Sequence, residues 1–358
     1  MVNGVLSSES TFLKMSVLQG SILGVLLFVI FINDFRNATS LLSVLYADDS
    51  TGLASGPNLS ELETLVNTEL QKMALWFRCN NLALNIKKSK CMLFSLKNKK
   101  EDISVVLNNN DIGENDLSKL VPLEQVTNKS KEPFIRVLGF YINETLDIQD
   151  HGSILISKLV KAVFLLNRVK HLLTEDTKKM LYYAHFHSHL NYCSIFFTLL
   201  PQKVVNKLIT LQKKAVRAIV KASFRAHTEP IFIHLNILPL NSLIQFNLLN
   251  FMHKYINGKV PRTFANAWPT NFEYTNNLRE MRRSGDFYIQ RCHSNKLKKH
   301  PFLNLPIQWN NFIHPTKYIL DLLEFRYELK RFLMSHLKNS TCTDPFCYTC
   351  GRVSEPLF

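Results

Sequence analysis

Between residues 58 and 82, apolar side chains recur at Leu59, Leu62, Leu65, Val66, Leu70, Met73, Trp76 and Phe77, the spacing of one helical face. This is the clearest amphipathic helix in the chain, with Asn58 or Ser60 placed to cap it. Upstream, "GSILGVLLFVIFINDF" (20–35) is apolar on every side. That pattern predicts a helix capped by Ser21, buried for want of a polar face, and ended by a loop at Asn33–Asp34. In "LLSVLYADDSTGLAS" (41–55) two β-prone runs flank Asp48 and Asp49, which predicts a hairpin. Residues 1–20 read as short strands and loops. "LALN" and "KCMLFS" read as two strands, and residues 97–132 as an exposed polar insertion with a short strand at "ISVVL". "FIRVLGFYIN" (134–143) reads as a strand pair in which Gly139 allows a bulge or a close approach.

After Leu146 the pattern becomes helical: "ILISKLVKAVFLLNRVKHLL", "TEDTKKMLYYAHFHSHLNYCSIFF" and "QKVVNKLITLQKKAVRAIVKA". Helices and loops rich in Phe, Leu and Asn continue through 230–335. The fold class expected is α+β: helices on one face of an antiparallel sheet, followed by a mainly helical part. The corresponding divisions are 1–150, 151–229, 230–340 and a Cys-containing tail, 341–358.

Charge adds a partner class. The chain carries 43 Lys and Arg against 28 Asp and Glu, a formal +15. Residues 151–225 hold 13 Lys and Arg against Glu175 and Asp176, a local net of +11, so this segment is the expected polyanion-facing surface. A membrane role needs a longer apolar span than "ILGVLLFVIFI" (22–32): its 11 residues fall short of the roughly 18 that cross a bilayer. Nor does the run read as a signal peptide, because "NDF" follows it instead of small residues and little positive charge precedes it. Cys79, Cys91, Cys193 and Cys292 are scattered, as reduced thiols of an intracellular protein would be.

Adjacent carboxylates in a tight turn resist joint ionisation, and a divalent cation removes that conflict. Mg²⁺ prefers oxygen ligands shared with substrate phosphates; an ordinary Asp-rich turn is the alternative. The surroundings of the pair separate the two readings. "VLQGSILGVLLFVIFINDF", "YADD", "LALNIKKSKCMLFS" and "VLGFYIN" occur in this order, and together they resemble the reverse transcriptases of non-LTR (LINE-like, jockey-type) retrotransposons over roughly residues 3–150. "RAHTEPIFIHLNILPL" and "NLPIQWNNF" resemble the C-terminal regions of the same elements. The resemblance implies an RNA-directed DNA polymerase with a palm followed by a helical thumb, acting on an RNA template, a DNA primer or target and dNTPs, with Mg²⁺ and without a membrane. Access to the nucleus would follow from a DNA-templated insertion step.

Carried over by position, the resemblance makes Asp48 a ligand of the catalytic Mg²⁺, with Asp49 as a supporting carboxylate. Tyr46 and Ala47 would lie near the primer end, and Gln19, Gly20 and Ser21 would line the nucleotide and template pocket. Lys88 would face the triphosphate, and Gly139 would shape the primer grip. The basic helices match the thumb, with Lys158, Lys161, Arg168, Lys170, Lys213, Lys214, Arg217 and Lys221 as candidates for phosphate contacts.

There are departures from the family pattern. Leu18 and Val25 stand where the family usually has proline, and Ser16 where glycine is common. The family's other metal-binding aspartate belongs to an upstream Asp-x-x-x-Ala-Phe-Asp segment that nothing in this chain matches. The expectation for this polypeptide is therefore impaired or absent polymerisation, as in a truncated copy, or else a non-catalytic nucleic-acid-binding relic. His185, His187 and His189 alternate along a predicted helix, which spreads them around its axis and favours packing or surface roles. Cys342, Cys347 and Cys350, with His336 as the nearest fourth ligand, offer a partial Zn²⁺ pattern; reduced thiols are the alternative.

Overall fold

The computed structural model of the chain describes residues 20–94, 102–108, 120–270, 273, 286–292 and 295–339. The chain divides into two units between Leu138 and Gly139. At 59% helix and 9% strand, it is a mainly helical protein with small sheets, compatible with the α+β class. The expectation for residues 1–19 lies outside the described residues.

In the first unit, α1 (Ile22–Ile32) runs into a 3₁₀ turn (Asn33–Asn37), and β1 (Leu42–Tyr46) pairs antiparallel with β2 (Asp49–Leu53). The helix α2 (Leu59–Cys79) begins at Asn58, whose side chain accepts from the Ser60 backbone N–H at 3.3 Å. Phe35 is completely buried. Its ring lies 5.1 Å from that of Trp76 and 4.9 Å from that of Phe77, so the turn after α1 is seated on α2. Glu69 ties the same region together. Its carboxylate accepts from Thr39 Oγ1, from the Ser40 N–H and from Lys72 Nζ.

Five expectations for this unit are corrected. The helix α1 is not buried among the described residues: Ile22, Val25 and Ile30 are 92%, 71% and 63% exposed. Its apolar surface is real, but the neighbouring elements cover only its Gly24 and Ile32 side. Ser21 occupies the N-cap position and makes no side-chain cap bond. "LALN" is not a strand, because Asn85 instead accepts from the Lys88 N–H and starts the 3₁₀ turn Ile86–Lys88. Among the described residues, no single antiparallel sheet forms. β3 (Lys90–Cys91) pairs in parallel with β6 (Glu124–Gln125), β4 (Val106–Asn108) pairs antiparallel with β5 (Leu120–Pro122), and β7 (Ile135–Val137) closes the unit. The polar segment expected to be an exposed insertion contributes buried Val105, Leu107 and Val126.

The second unit starts with β8 (Phe140–Ile142), followed by α3 (Gln149–Val169), α4 (Glu175–Tyr182), a π-turn (Tyr183–His187), α5 (Ser188–Asn191) and α6 (Gln202–Ile219). Then come α7 (Glu229–Leu235), α8 (Leu240–Ile256), α9 (Asn295–Lys299), α10 (Pro301–Asn311) and α11 (Leu322–Asn339). Amphipathic α3 and α6 pack together through Leu155, Leu159, Leu208 and Val216 among others. Gly152 makes the close approach possible, since a Cβ there would lie 2.7 Å from Val204 Cγ1. A buried polar residue, Gln212, links three elements. It donates to Tyr182 Oη and the Leu238 carbonyl and accepts from the Leu240 N–H. Among the described residues no single helix is long and apolar enough to cross a membrane.

Candidate metal hairpin and basic helical surface

The register Tyr46↔Asp49 leaves Ala47 and Asp48 as the two-residue tip of the β1–β2 hairpin. Ala47 has φ +53°, the left-handed conformation that primed hairpin turns place at their first central residue. The "YADD" stretch thus folds with Asp48 at the apex and Asp49 as the first residue of β2. Directly paired residues share a face, so Asp49 stands with Tyr46, Val44 and Leu42, all exposed. Both carboxylates face solvent.

Two exposed, adjacent carboxylates match the way Mg²⁺ is usually held, by one or two carboxylates with water and substrate phosphate completing the shell. The hard-oxygen donor set therefore fits that ion as far as it goes. Among the described residues no group of three or more His, Cys, Asp or Glu gathers in a metal-holding arrangement, so those residues bring two carboxylates and no third. Lys88 is exposed at the end of its 3₁₀ turn. No hydrogen bond or ion pair joins it to either aspartate among the described residues. Lys90 in the same basic run instead pairs with Glu124 at 3.4 Å.

Gly20 has φ +86° with open space around it, so glycine is required there by backbone conformation. Ser21 follows it at the head of α1, and Gln19 lies outside the described residues. In the second unit Gly139 also has φ +86°, next to Leu138 at +49°. Consecutive positive φ values belong to a tight type I′ turn, so the position marks a turn and not a bulge. Cys342, Cys347 and Cys350 lie outside the described residues. Their suggested partner His336 is within them, bonded through Nδ1 to the Phe332 carbonyl at 3.0 Å.

The basic candidates sort by their surroundings. Lys158, Lys161, Arg168, Lys213, Lys214 and Lys221 are exposed, and Lys170 and Arg217 are half-buried. On α3, Lys158, Lys161 and Arg168 follow one another at three and seven residues, along one helical face. Arg168 also lies over the Phe164 ring, 5.3 Å from its centroid. Arg217 Nε donates to the Ala226 carbonyl at 2.8 Å, fixing the turn after α6.

Pattern reading passed over four residues. Glu69 and Gln212 sit at core-facing positions of their apolar stripes, and that polar break was the available signal. Lys178 is buried at 2% exposure and donates to the Lys170 carbonyl; burial and neighbouring Lys221 push its ammonium pKa down. Buried His151 had no signal at all. The histidine run meets the π-turn: Phe186 is its buried residue, His185 and His189 are exposed, and His187 is half-buried. Comparison with family models, with curated proteins and with solved structures finds no match to this chain.

Proposed function

We propose that the chain is the palm-to-thumb part of a reverse transcriptase of the non-LTR retrotransposon type. On this reading the first unit carries the metal hairpin of nucleotidyl transfer, and the second is the thumb that holds template–primer duplex. The observation that carries the reading is "YADD" at the tip of a two-stranded hairpin, between the other three ordered motifs. Bound Mg²⁺ would supply charge neutralisation at the reacting phosphate. Asp48 and Asp49 would hold it, Lys88 would face the triphosphate, and the exposed cations of α3 and α6 would hold the duplex backbone.

A second reading, a nucleic-acid-binding protein without chemistry, is favoured by the carboxylate count: the hairpin brings two and no third gathers with them among the described residues. Both readings require salt-dependent binding of an RNA–DNA duplex. Primer extension by the purified chain on an RNA template, with Mg²⁺ and dNTPs, separates them. Binding with at most trace extension is the expected result. Sustained extension that Asp48→Asn abolishes would establish the polymerase, and the absence of salt-dependent duplex binding would sink both.

A further inference from the structure

A pocket of about 280 Å³ opens in the second unit, walled in part by Gly139, Tyr141 of β8, Lys158 of α3, His189 of α5 and Tyr192. It far exceeds the ~30 Å³ that one water takes up in the liquid and lies just below the ~300–1,000 Å³ typical of small-molecule sites. One wall forms where the tight turn at Gly139 meets the end of α5: a Cβ on Gly139 would lie 3.8 Å from Tyr192 Cε1. The His151 ring also lines the pocket, with both nitrogens closed off from solvent, so it contributes surface and no donor.

The donors come from two other side chains. Lys158 and His189 are exposed and have no hydrogen-bond or ion-pair partner among the described residues. They stand close together: burial first, then the Lys158 charge and that of His185, hold the His189 pKa below its ordinary value. Near neutral pH His189 is therefore a neutral ring with one N–H to give. Among the described residues no aspartate or glutamate lines the pocket, and α3 carries none after Asp150. An ammonium and an imidazole N–H on walls without a carboxylate are complementary to an anion. A phosphate group is the anion that offers several strong acceptor oxygens at once. Lys161 and Arg168, both exposed, continue from Lys158 along α3, where the next phosphates of a strand would follow.

We propose that this pocket is a phosphate clamp, in which Lys158 Nζ and the His189 N–H hold one phosphate group of a nucleic-acid strand between the walls made by Tyr141 and Tyr192. The proposal rests on the nucleic-acid-binding reading of the second unit. It deepens that reading by separating one seated phosphate from those that pass over exposed lysines, and by giving a histidine a part in binding.

The test follows the His189 ring by NMR in the full chain, in pH titrations at constant ionic strength with inorganic phosphate, ribose 5-phosphate or acetate. A bound phosphate offsets Lys158 and favours the charged imidazolium. The His189 pKa should therefore rise saturably with both phosphates, while that of His234 on α7 stays where it was. Lys158→Gln should remove the response, and Lys161→Gln, which lies outside the pocket lining, should keep it. An equal rise with acetate would reduce the site to a general anion effect and overturn the clamp, as would an unmoved His189. For an RNA–DNA duplex, Lys158→Gln and His189→Gln should each weaken binding on the order of tenfold. The double variant should lose little more than either one, because both groups hold the same phosphate; losses that multiply, or none from His189→Gln, would overturn the clamp. Salt-dependent duplex binding with His189 unresponsive would end the clamp and leave the wider reading standing. A phosphate response at His189 without binding of any nucleic acid would end both the strand as occupant and the wider reading.

Discussion

The largest apolar cluster of the second unit contains 39 buried residues, and that of the first contains five, among the described residues. The first unit also leaves Ile22, Leu23, Val25, Leu26, Leu27, Val29, Ile30 and Phe31 of α1 exposed, and with them Leu42, Val44, Tyr46 and Leu53 of the hairpin. The candidate chemistry is therefore mounted on the unit with less support, and the candidate binding surface on the better packed one. Catalytic geometry depends on the elements that hold it, whereas phosphate binding by surface lysines needs only a stable helical face. Binding should therefore persist under perturbations that disorder the hairpin.

The sharpest break of this comparison is a pair of leucine truncations. Leu159 is fully buried and Leu27 is 51% exposed. Leu159→Ala should cost the second unit about 3–5 kcal/mol, and Leu27→Ala should stay within about 0.5 kcal/mol, both read by chemical denaturation. A large loss from Leu27→Ala would mean that α1 is covered in solution. Next in size is Gln212→Leu, which leaves the Leu238 carbonyl and the Leu240 N–H without their partner. At about 1–3 kcal/mol for each buried group left unpaired, less what burying an apolar side chain there returns, a loss of about 2–4 kcal/mol is expected in the same measurement.

Glu69 is the corresponding test for the first unit. Lys72 and the Ser40 N–H hold its carboxyl well below the usual 4.5, at about 2. A depressed carboxyl contributes stability that is complete above about 4.5 and lost as pH falls towards 2. The first unit should therefore loosen across that window. Glu69→Gln should cost about 1–3 kcal/mol at neutral pH and flatten the acid transition, which fluorescence of Trp76 beside Phe35 would report. An unchanged transition would show that other carboxylates set the acid limit.

How much of this was legible depended on whether a pattern carries its own partner. The extents of α2 and α6 followed from their apolar stripes, and the hairpin from β-prone runs around two aspartates; α3 instead starts at Gln149, ahead of its apolar run, and ends at Val169, before Leu172 and Leu173. The helix α1 was legible as a helix, but an apolar surface does not say whether its cover lies nearby. "LALN" failed because Asn85 bonds the chain locally in place of a ladder. In the candidate site, the tip position of Asp48 was readable, since a two-residue turn fixes it. The setting of buried His151 was not, because it is assembled from Phe140 of β8, α3 and Phe197, and no periodicity along the chain records which elements meet.

The smallest expected effect bears most directly on the division of labour between the two units. Lys213 and Lys214 are adjacent and exposed on α6. If they contact phosphates, each contributes about 0.9 to the slope of log affinity against log salt. Lys213→Gln with Lys214→Gln should then lower the slope for an RNA–DNA duplex by about 2 and weaken binding uniformly across sequences. Lys88→Gln, in the first unit, should leave that slope unchanged, because its proposed contact is with the incoming triphosphate. A slope lowered equally by Lys88→Gln would place the duplex on the first unit as well, and a slope indifferent to the α6 pair would take that helix out of the binding surface.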